Sequence, residues 1–458
     1  MKTKYSIFFC LLVMCFCSCQ RQQDWLDAKV ERNSVVPGRL SDFQALLDGD
    51  FLFQQHSLLS LLSSDVYYLP NAVYNGSSSV FVRNGYIWSK EIYEGLMPSE
   101  WRSMYQLVAV ANICLEGAEK IPVTAQNRLD HQQVRGMAHF FRGLAFYNLL
   151  QYFAQPYNAG TATTDLGIPL RLLSDVNDRP GRSSIATCYE QVLSDLKAAE
   201  SLLPMRTASK IRAGQAAVKG LLARVYQTLG DWEAADQYAS AALSIESTLL
   251  DFNSLNQNAT LPFPTLQNQH PEVIYYAESM SSSIYIGNNA IIDSLLYRSY
   301  ANNDLRRTLF FRLANGLPFF KGYYTGRDGR PFEGIATNEL YLISAEAKAR
   351  KADVTGSMQR LNQLLIRRWR TGTYQPLQAA NAEVALQLVL SERRKEFPFT
   401  GNLIWLDLRR LNQDPRFART LKRIVNGVVY ELPPNDARYT FAIPDIEIQL
   451  TGIPQNKR

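Results

Sequence analysis

Apolar residues recur at steps of three and four along much of this chain, which is the signature of helices with one buried face. The pattern is most continuous from Gln132 to Tyr157, QQVRGMAHFFRGLAFYNLLQYFAQPY, where Val134, Ala138, Phe141, Ala145, Leu149 and Tyr152 share a side. Met137, Leu144 and Phe146 widen that stripe, so other helices must wrap this one. Pro156 ends it, because proline has no amide hydrogen and forces its predecessor out of the helical region. Arg135 and Arg142 stand seven residues apart in the run, nearly on one line. They either snorkel and pair with carboxylates of a neighbouring helix or form an anion-binding pair.

Other helices follow from the same period. Leu40 to Leu47 predicts a short one, capped by Ser41 or Asp42. Ser99 to Lys120, with Trp101, Tyr105, Val108 and Ile113 near one face, predicts an antiparallel partner for the central helix. After a loop to residue 183, Ser183 or Ser184 caps a helix carrying Ile185, Tyr189, Val192 and Leu196. From Ala213 to Ile245, Leu222, Ala223, Tyr226, Gly230, Trp232, Ala235, Ala239 and Ala242 match a 34-residue tetratricopeptide unit in type and spacing. The small alanines let two helices approach, Gly230 turns the chain and Trp232 fills the joint. Such a pair cannot cover its own apolar face, so further pairs must stack on it. A weaker copy runs through Leu342, Ala345, Ala349, Met358, Leu361 and Leu365. The expected fold is mainly α, an α-α superhelix of tetratricopeptide-like pairs with long irregular loops and a few short strands.

Two stretches lack the period. Ser63 to Trp88 and Asp251 to Gly334 are rich in Gly, Asn, Ser, Pro and Tyr, and read as loops. Val273 to Tyr276 fits a strand, and Phe319 to Gly329 a hairpin or loop. A loop as long as the second is unusual in a folded body unless it serves as a binding surface.

Composition narrows the function. The chain has 458 residues, 46% of them hydrophobic and 20% charged, which argues for a folded protein. The net charge of +6 is spread thinly, and no lysine-rich block points to nucleic acid. Lys2, Lys4 and the apolar run Ile7 to Phe16 give residues 1–18 the form of an export signal. That run is short of the ~20 residues a helix needs to cross a bilayer. Phe16-Cys17-Ser18-Cys19 resembles a lipoprotein box, with Cys19 the lipidated thiol; each buried methylene of its acyl chains would add about 0.8 kcal/mol of membrane attachment. A plain secretory signal is the other reading.

Cys114 and Cys188 lie in helix-like patterns, as one disulfide or two buried thiols, and without CxxC or histidine spacing they do not suggest a metal site. His56, His131, His139 and His270 have no ligand spacing, and GxSxG and P-loop patterns are absent. Glu392 and Glu396, in ERRKEF, read as salt-bridge partners rather than as the carboxylate pair of a glycoside hydrolase.

In order, the chain carries the box at Cys19; Trp101, Tyr105 and Asn112; FFRGLAFYNLLQYFAQPY (140–157); Gly167-Ile168-Pro169; and Arg182-Ser183 leading to Asp195-Leu196 and Leu203-Pro204. LLARVYQTLGDWEAA (221–235), ELYLISAEAKAR (339–350), Leu361-Asn362 with Arg367, ERRKEF (392–397), Trp405 to Arg410 and AIPDIEI (442–448) follow. Together these resemble the SusD-like (SusD/RagB) family of surface lipoproteins of Bacteroidota-type bacteria. The resemblance implies one SusD-like domain over 19–458, with a helical scaffold at about 99–245 and 335–410 and ligand-face loops at about 63–98 and 251–334. It further implies an outer-membrane protein, lipid-anchored and facing the exterior. Such a protein binds a glycan (in some branches a peptide), serves a TonB-dependent transporter, and has neither catalysis nor a cofactor.

A sugar offers apolar C–H faces and rings of hydroxyls, so its site wants exposed aromatic platforms and planar polar groups. The candidates are Tyr67, Tyr68, Tyr74 and Trp88 from the first loop and Tyr297, Tyr300, Tyr323 and Tyr324 from the second. Asp65, Asn71, Asn75 and Arg327 are candidates for polar contacts. For any single ring the competing role is packing within its loop.

Overall fold

The computed structural model describes residues 37–49, 54–55, 57–266 and 269–458; the signal-like segment and Cys19 lie outside them. In chain order, α1 (Leu40–Leu47), β1 (Gln54–Gln55), α2 (Leu58–Ser63), β2 (Tyr67–Tyr68), α3 (Asn71–Gly76) and α4 (Val80–Tyr86) precede the long helices α5 (Ser99–Glu119) and α6 (Arg128–Phe153). The pair β3 (Leu166–Pro169) and β4 (Arg182–Ser184) leads into α7 (Ile185–Leu202), α8 (Gln215–Leu229) and α9 (Trp232–Ile245). Then come β5 (Val273–Tyr275), β6 (Glu278–Ser279), β7 (Ile291–Ile292), α10 (Ser294–Arg298), α11 (Arg306–Phe310), β8 (Phe311–Ala314) and β9 (Leu317–Phe320). The chain closes with β10 (Ile335–Ala336), α12 (Thr337–Arg350), α13 (Val354–Leu365), α14 (Ala382–Glu396), α15 (Leu403–Leu411), β11 (Leu421–Val425), β12 (Val428–Leu432) and α16 (Asp445–Thr451). The fold is mainly α.

The scaffold is a run of packed neighbours: α5 on α6, α6 on α7, α7 on α8, α8 on α9, α9 on α12, α12 on α13, with α14 against α12. Every residue of α6 from Phe140 to Phe153 is buried, so its far side is as covered as its predicted stripe. Gly136 lets α7 close on it, since a β-carbon there would stand 2.7 Å from Leu203. Arg142 takes the pairing role: its Nε and Nη2 donate to Asp195 at 2.9 and 2.7 Å, and Nη1 donates to Asn112 Oδ1. Three helices are thereby tied at one buried guanidinium. Ser184 caps α7 by accepting from Thr187 N. At α1 the cap residue is Arg39, not Ser41 or Asp42; Asp42 instead reaches back from the third position to the amides of Gly38 and Arg39. Cys114 and Cys188 are two buried free thiols.

The tetratricopeptide reading holds in detail. α8 ends at Gly230, whose φ of +74° returns the chain into α9, and the Arg350 guanidinium covers the ring of Trp232 at 4.4 Å. A side chain at Gly230 would meet open space, so only the backbone conformation opposes one. Gly230→Ala is accordingly expected to cost about 1 kcal/mol, read as a small drop in melting temperature; an unchanged melting curve would contradict it.

The two predicted loops contain short elements. Helices and strands of two to seven residues leave no readable period, and their registers come from strands far away in sequence. β2, β7, β9 and β8 form a four-stranded sheet in that order, so one sheet joins both stretches.

Candidate functional site

In that sheet Tyr68 pairs with Ile291, Ile291 with Phe319, and Phe319 with Arg312. Residues directly opposite across strands share a face, so these four form one transverse row. The adjacent rows, Tyr67 with Ile292 and Phe311 with Phe320, face the core and are buried. In the first row Tyr68, at one end, is 43% exposed, whereas Ile291 and Phe319 in its middle are themselves buried at 6% and 4%. At the other end, the Arg312 guanidinium lies 5.3 Å above the Phe319 ring, and its Nη2 donates to Gly287 O and Asn288 Oδ1 at 2.8 and 2.6 Å. Three inter-strand steps separate the ends, about 14 Å. An apolar ring and a planar donor set at that separation suit an extended hydroxyl-rich oligomer better than a monomer.

Arg312 was not among the sequence candidates, although a signal for it exists. Asn315-Gly316 is flanked by two apolar runs and both residues adopt positive φ (51° and 77°), the combination favoured in two-residue hairpin turns. The hairpin is therefore β8–β9, earlier than the predicted 319–329.

The helix α3 lies within the first loop stretch. Its Asn71 and Asn75 are exposed, but both hold the β11–β12 turn: Asn426 N donates to Asn71 Oδ1 at 2.9 Å, and the Asn75 and Asn426 side-chain amides exchange two bonds. Tyr74 is half-buried, its ring 5.9 Å from that of Tyr86. Tyr297 is half-buried too, with the Arg307 guanidinium over its ring at 5.1 Å. Asp65 is bound by Arg394 and Arg419 at 2.9 and 2.7 Å; burial opposes its charge, but the two guanidiniums outweigh that and hold its carboxyl at about 2. Arg327 is paired with the buried Glu278 at 2.7 Å.

Five of the eight predicted rings belong to the core. Tyr67, Trp88, Tyr300, Tyr323 and Tyr324 are 1–8% exposed, which leaves no free face for a sugar. The Tyr300 hydroxyl donates to Lys395 O and that of Tyr323 to Tyr285 O. Tyr324 packs among Phe263, His270 and Phe332. Tyr67 and Trp88, with Tyr86, surround the buried Arg423 guanidinium at 5.7, 4.4 and 3.8 Å from their ring centres. That guanidinium also donates to the carbonyls of Leu62, Tyr86 and Ser64. These rings stabilise an inserted cation within the protein. Tyr68, Tyr74 and Tyr297 keep accessible surface.

Glu392 and Glu396 sit in a buried ion-pair network. Arg306 donates to Asp304, Glu392 and Glu396, and Arg368 donates to Glu396 and Glu272. Carboxylates so engaged have no geometry for proton transfer to a substrate. Among the described residues no group of three or more His, Cys, Asp or Glu side chains is placed to hold a metal ion, and no helix is long and apolar enough to cross a membrane.

Residues 24–227 match a family model described as SusD-like, "Starch-binding associating with outer membrane". The chain is 24% identical to SusD-like protein P2 of Formosa agariphila over 383 residues, 69% of this chain and 72% of that protein. Its fold is similar to that of a putative sugar binding protein from Bacteroides vulgatus (TM-score 0.73, 22% identity, 92% of this chain and 99% of that one). It is also similar to a SusD superfamily protein from Bacteroides thetaiotaomicron (0.73, 22%, 92% and 100%). Surface glycan-binding protein A from Bacteroides fluxus is a further likeness (0.67, 18%, 92% and 99%).

Proposed function

We propose that this chain is a SusD-like protein, of the family whose model, described as starch-binding and associated with the outer membrane, matches residues 24–227, and that it is a non-catalytic surface lipoprotein that holds an oligosaccharide and passes it to a TonB-dependent transporter. Residues 19–458 act as one unit, anchored through Cys19 and facing the exterior. The observation that carries the glycan reading is the sheet row: both loop regions contribute to it, and it ends in the exposed Tyr68 ring and the Arg312 guanidinium. Tyr74 and Tyr297 also keep part of their rings accessible, Tyr74 beside Tyr86 and Tyr297 on Phe311. The handover to a transporter and the anchor rest on the family resemblance.

Calorimetric titration of protein lacking residues 1–19 with starch-derived and other oligosaccharides tests this. Tyr68→Ala is expected to weaken the ligand that binds by about tenfold, the scale of one lost stacking contact, with an unchanged melting temperature. Equal affinity in wild type and Tyr68→Ala would remove the row from the site. Turnover of a polysaccharide by the pure protein would overturn the non-catalytic reading.

A further inference from the structure

A polar cavity of about 400 Å³ opens where the chain leaves α6, between residues 155–165, the end of α15 and residues 435–440. None of its lining residues belongs to the two loop regions that build the sheet row. Arg409 forms part of its wall. This arginine is 2% exposed; its Nη1 donates to Tyr439 O at 2.9 Å and its Nη2 to Ala154 O at 2.6 Å, while Nε–H has no partner. The described carboxylates leave it without an ion pair, whereas the buried Arg142, Arg224, Arg306, Arg368 and Arg393 each face an acid; Arg423, also without an acid, is enclosed by three aromatic rings and three carbonyls, while Arg409 has two carbonyls and open space beside it. Burial with no acid to offset it lowers the Arg409 pKa to about 10.

A cation removed from water without a counter-charge is costly. The carbonyls of Ala154, at the end of α6, and of Tyr439, with the dipole of α6, offset only part of that cost. A formal negative charge is missing, and the cavity is the open space beside it. The remaining wall is rich in amides and hydroxyls, among them Gln155, Asn158, Thr161, Gln413 and Asn435, groups that hydrogen-bond to hydroxyls in either direction. Asp165 and Asp436 also line it, Asp436 paired with Arg438 at 2.8 Å, and their charges oppose a polyanion more than a monoanion.

We infer that this cavity is a second ligand site, taking the carboxylate of a hydroxyl-rich monoacid of the uronic-acid class beside Arg409. It stands apart from the sheet row, and its ligand class does not depend on what that row binds.

The test is titration of the signal-less protein with glucuronate and with glucose. Glucuronate is expected to bind at least ~10-fold more tightly, the scale of one charge-assisted hydrogen bond. Gln413→Glu adds a negative charge at the exposed rim without touching the core and should remove most of that preference. Tyr68→Ala should leave glucuronate binding unchanged. Arg409→Met should abolish the preference if it folds; if it does not, Gln413→Glu decides. Equal binding of the two sugars, no glucuronate binding at millimolar concentration, or no effect of Gln413→Glu would overturn the proposal. Loss of glucuronate binding in Tyr68→Ala would place the acid at the sheet instead and overturn it too. Failure of Tyr68→Ala to weaken a neutral oligosaccharide would count only against the sheet row.

Discussion

Replacing Arg368 with methionine will destabilise the protein by about 3–5 kcal/mol, the range for breaking a buried ion pair on one side. Arg368 is fully buried. Its Nε and Nη2 meet Glu396 Oε1 at 2.9 and 2.8 Å, Nη2 meets Glu272 at 2.9 Å, Nη1 donates to Leu250 O, and the guanidinium lies 4.1 Å from the Phe252 ring centre. Methionine matches its length but leaves two carboxylates in the interior with half their compensation gone. Glu396 keeps Arg306 at 3.2 Å, whereas Glu272 keeps only the amide of Leu250. The control is the neighbouring residue. Arg367 is half exposed and pairs with Asp251 at 3.1 Å, so Arg367→Met should cost well under ~1 kcal/mol. Urea midpoints of the two variants measure the contrast; equal shifts would mean that the network contributes no more than a surface pair. The network also anchors the 251–334 insert to α14, so limited proteolysis of Arg368→Met should cut within the insert first.

The second large effect is a loss of stability as pH rises from 5 to 8. Glu333 carries a carboxyl oxygen, Oε1, that is sealed from water and has no hydrogen-bond partner. Burial, reinforced by the charge of Glu100 and countered by the hydroxyls of Ser57 and Ser279, pushes its pKa up from 4.5 to about 7. The folded protein therefore keeps a proton that the unfolded chain releases above pH 4.5. Stability from this group is complete below 4.5 and is lost as pH climbs through 7, about 3 kcal/mol in all. Asp65 and Glu346 act in the opposite sense. Their carboxyls are held at about 2 by arginines against the opposing effect of burial, so their contribution is lost only below pH 4. Burial likewise raises the Glu272 carboxyl to about 7, so Glu333→Gln should reduce the fall of melting temperature between pH 5 and 8 without removing it, and should exceed wild type at pH 8. A variant with the same slope as wild type would assign the dependence to another group.

The long helices were readable because their period survives over many turns. The stripe from Val134 to Tyr152 predicted α6, and Gly230 between two alanine-rich runs predicted the α8–α9 turn. Pairing of Arg142 with a carboxylate was foreseen as a type of contact, but Asp195 as the partner was not. Glu392 and Glu396 were likewise read as salt-bridge residues, yet their main partners, Arg306 and Arg368, come from elsewhere in the chain. The ring candidates fared differently. Loop composition suggested display, and five rings turned out to be core: Tyr67 on the inner face of the shared sheet, Trp88 over Arg423 from β11, Tyr300 and Tyr323 hydrogen-bonded to Lys395 O and Tyr285 O, and Tyr324 among Phe263, His270 and Phe332.

The sequence alone determined the helical scaffold and the repeat turn, and it carries the family resemblance, since each rests on local spacing that no distant contact needs to complete. Tertiary structure decided which tyrosines face water and which acids hold protons. It also decided where a guanidinium stands without a counter-charge. Those properties depend on strand register and on what packs over a residue from hundreds of positions away, as Arg423 does over Trp88.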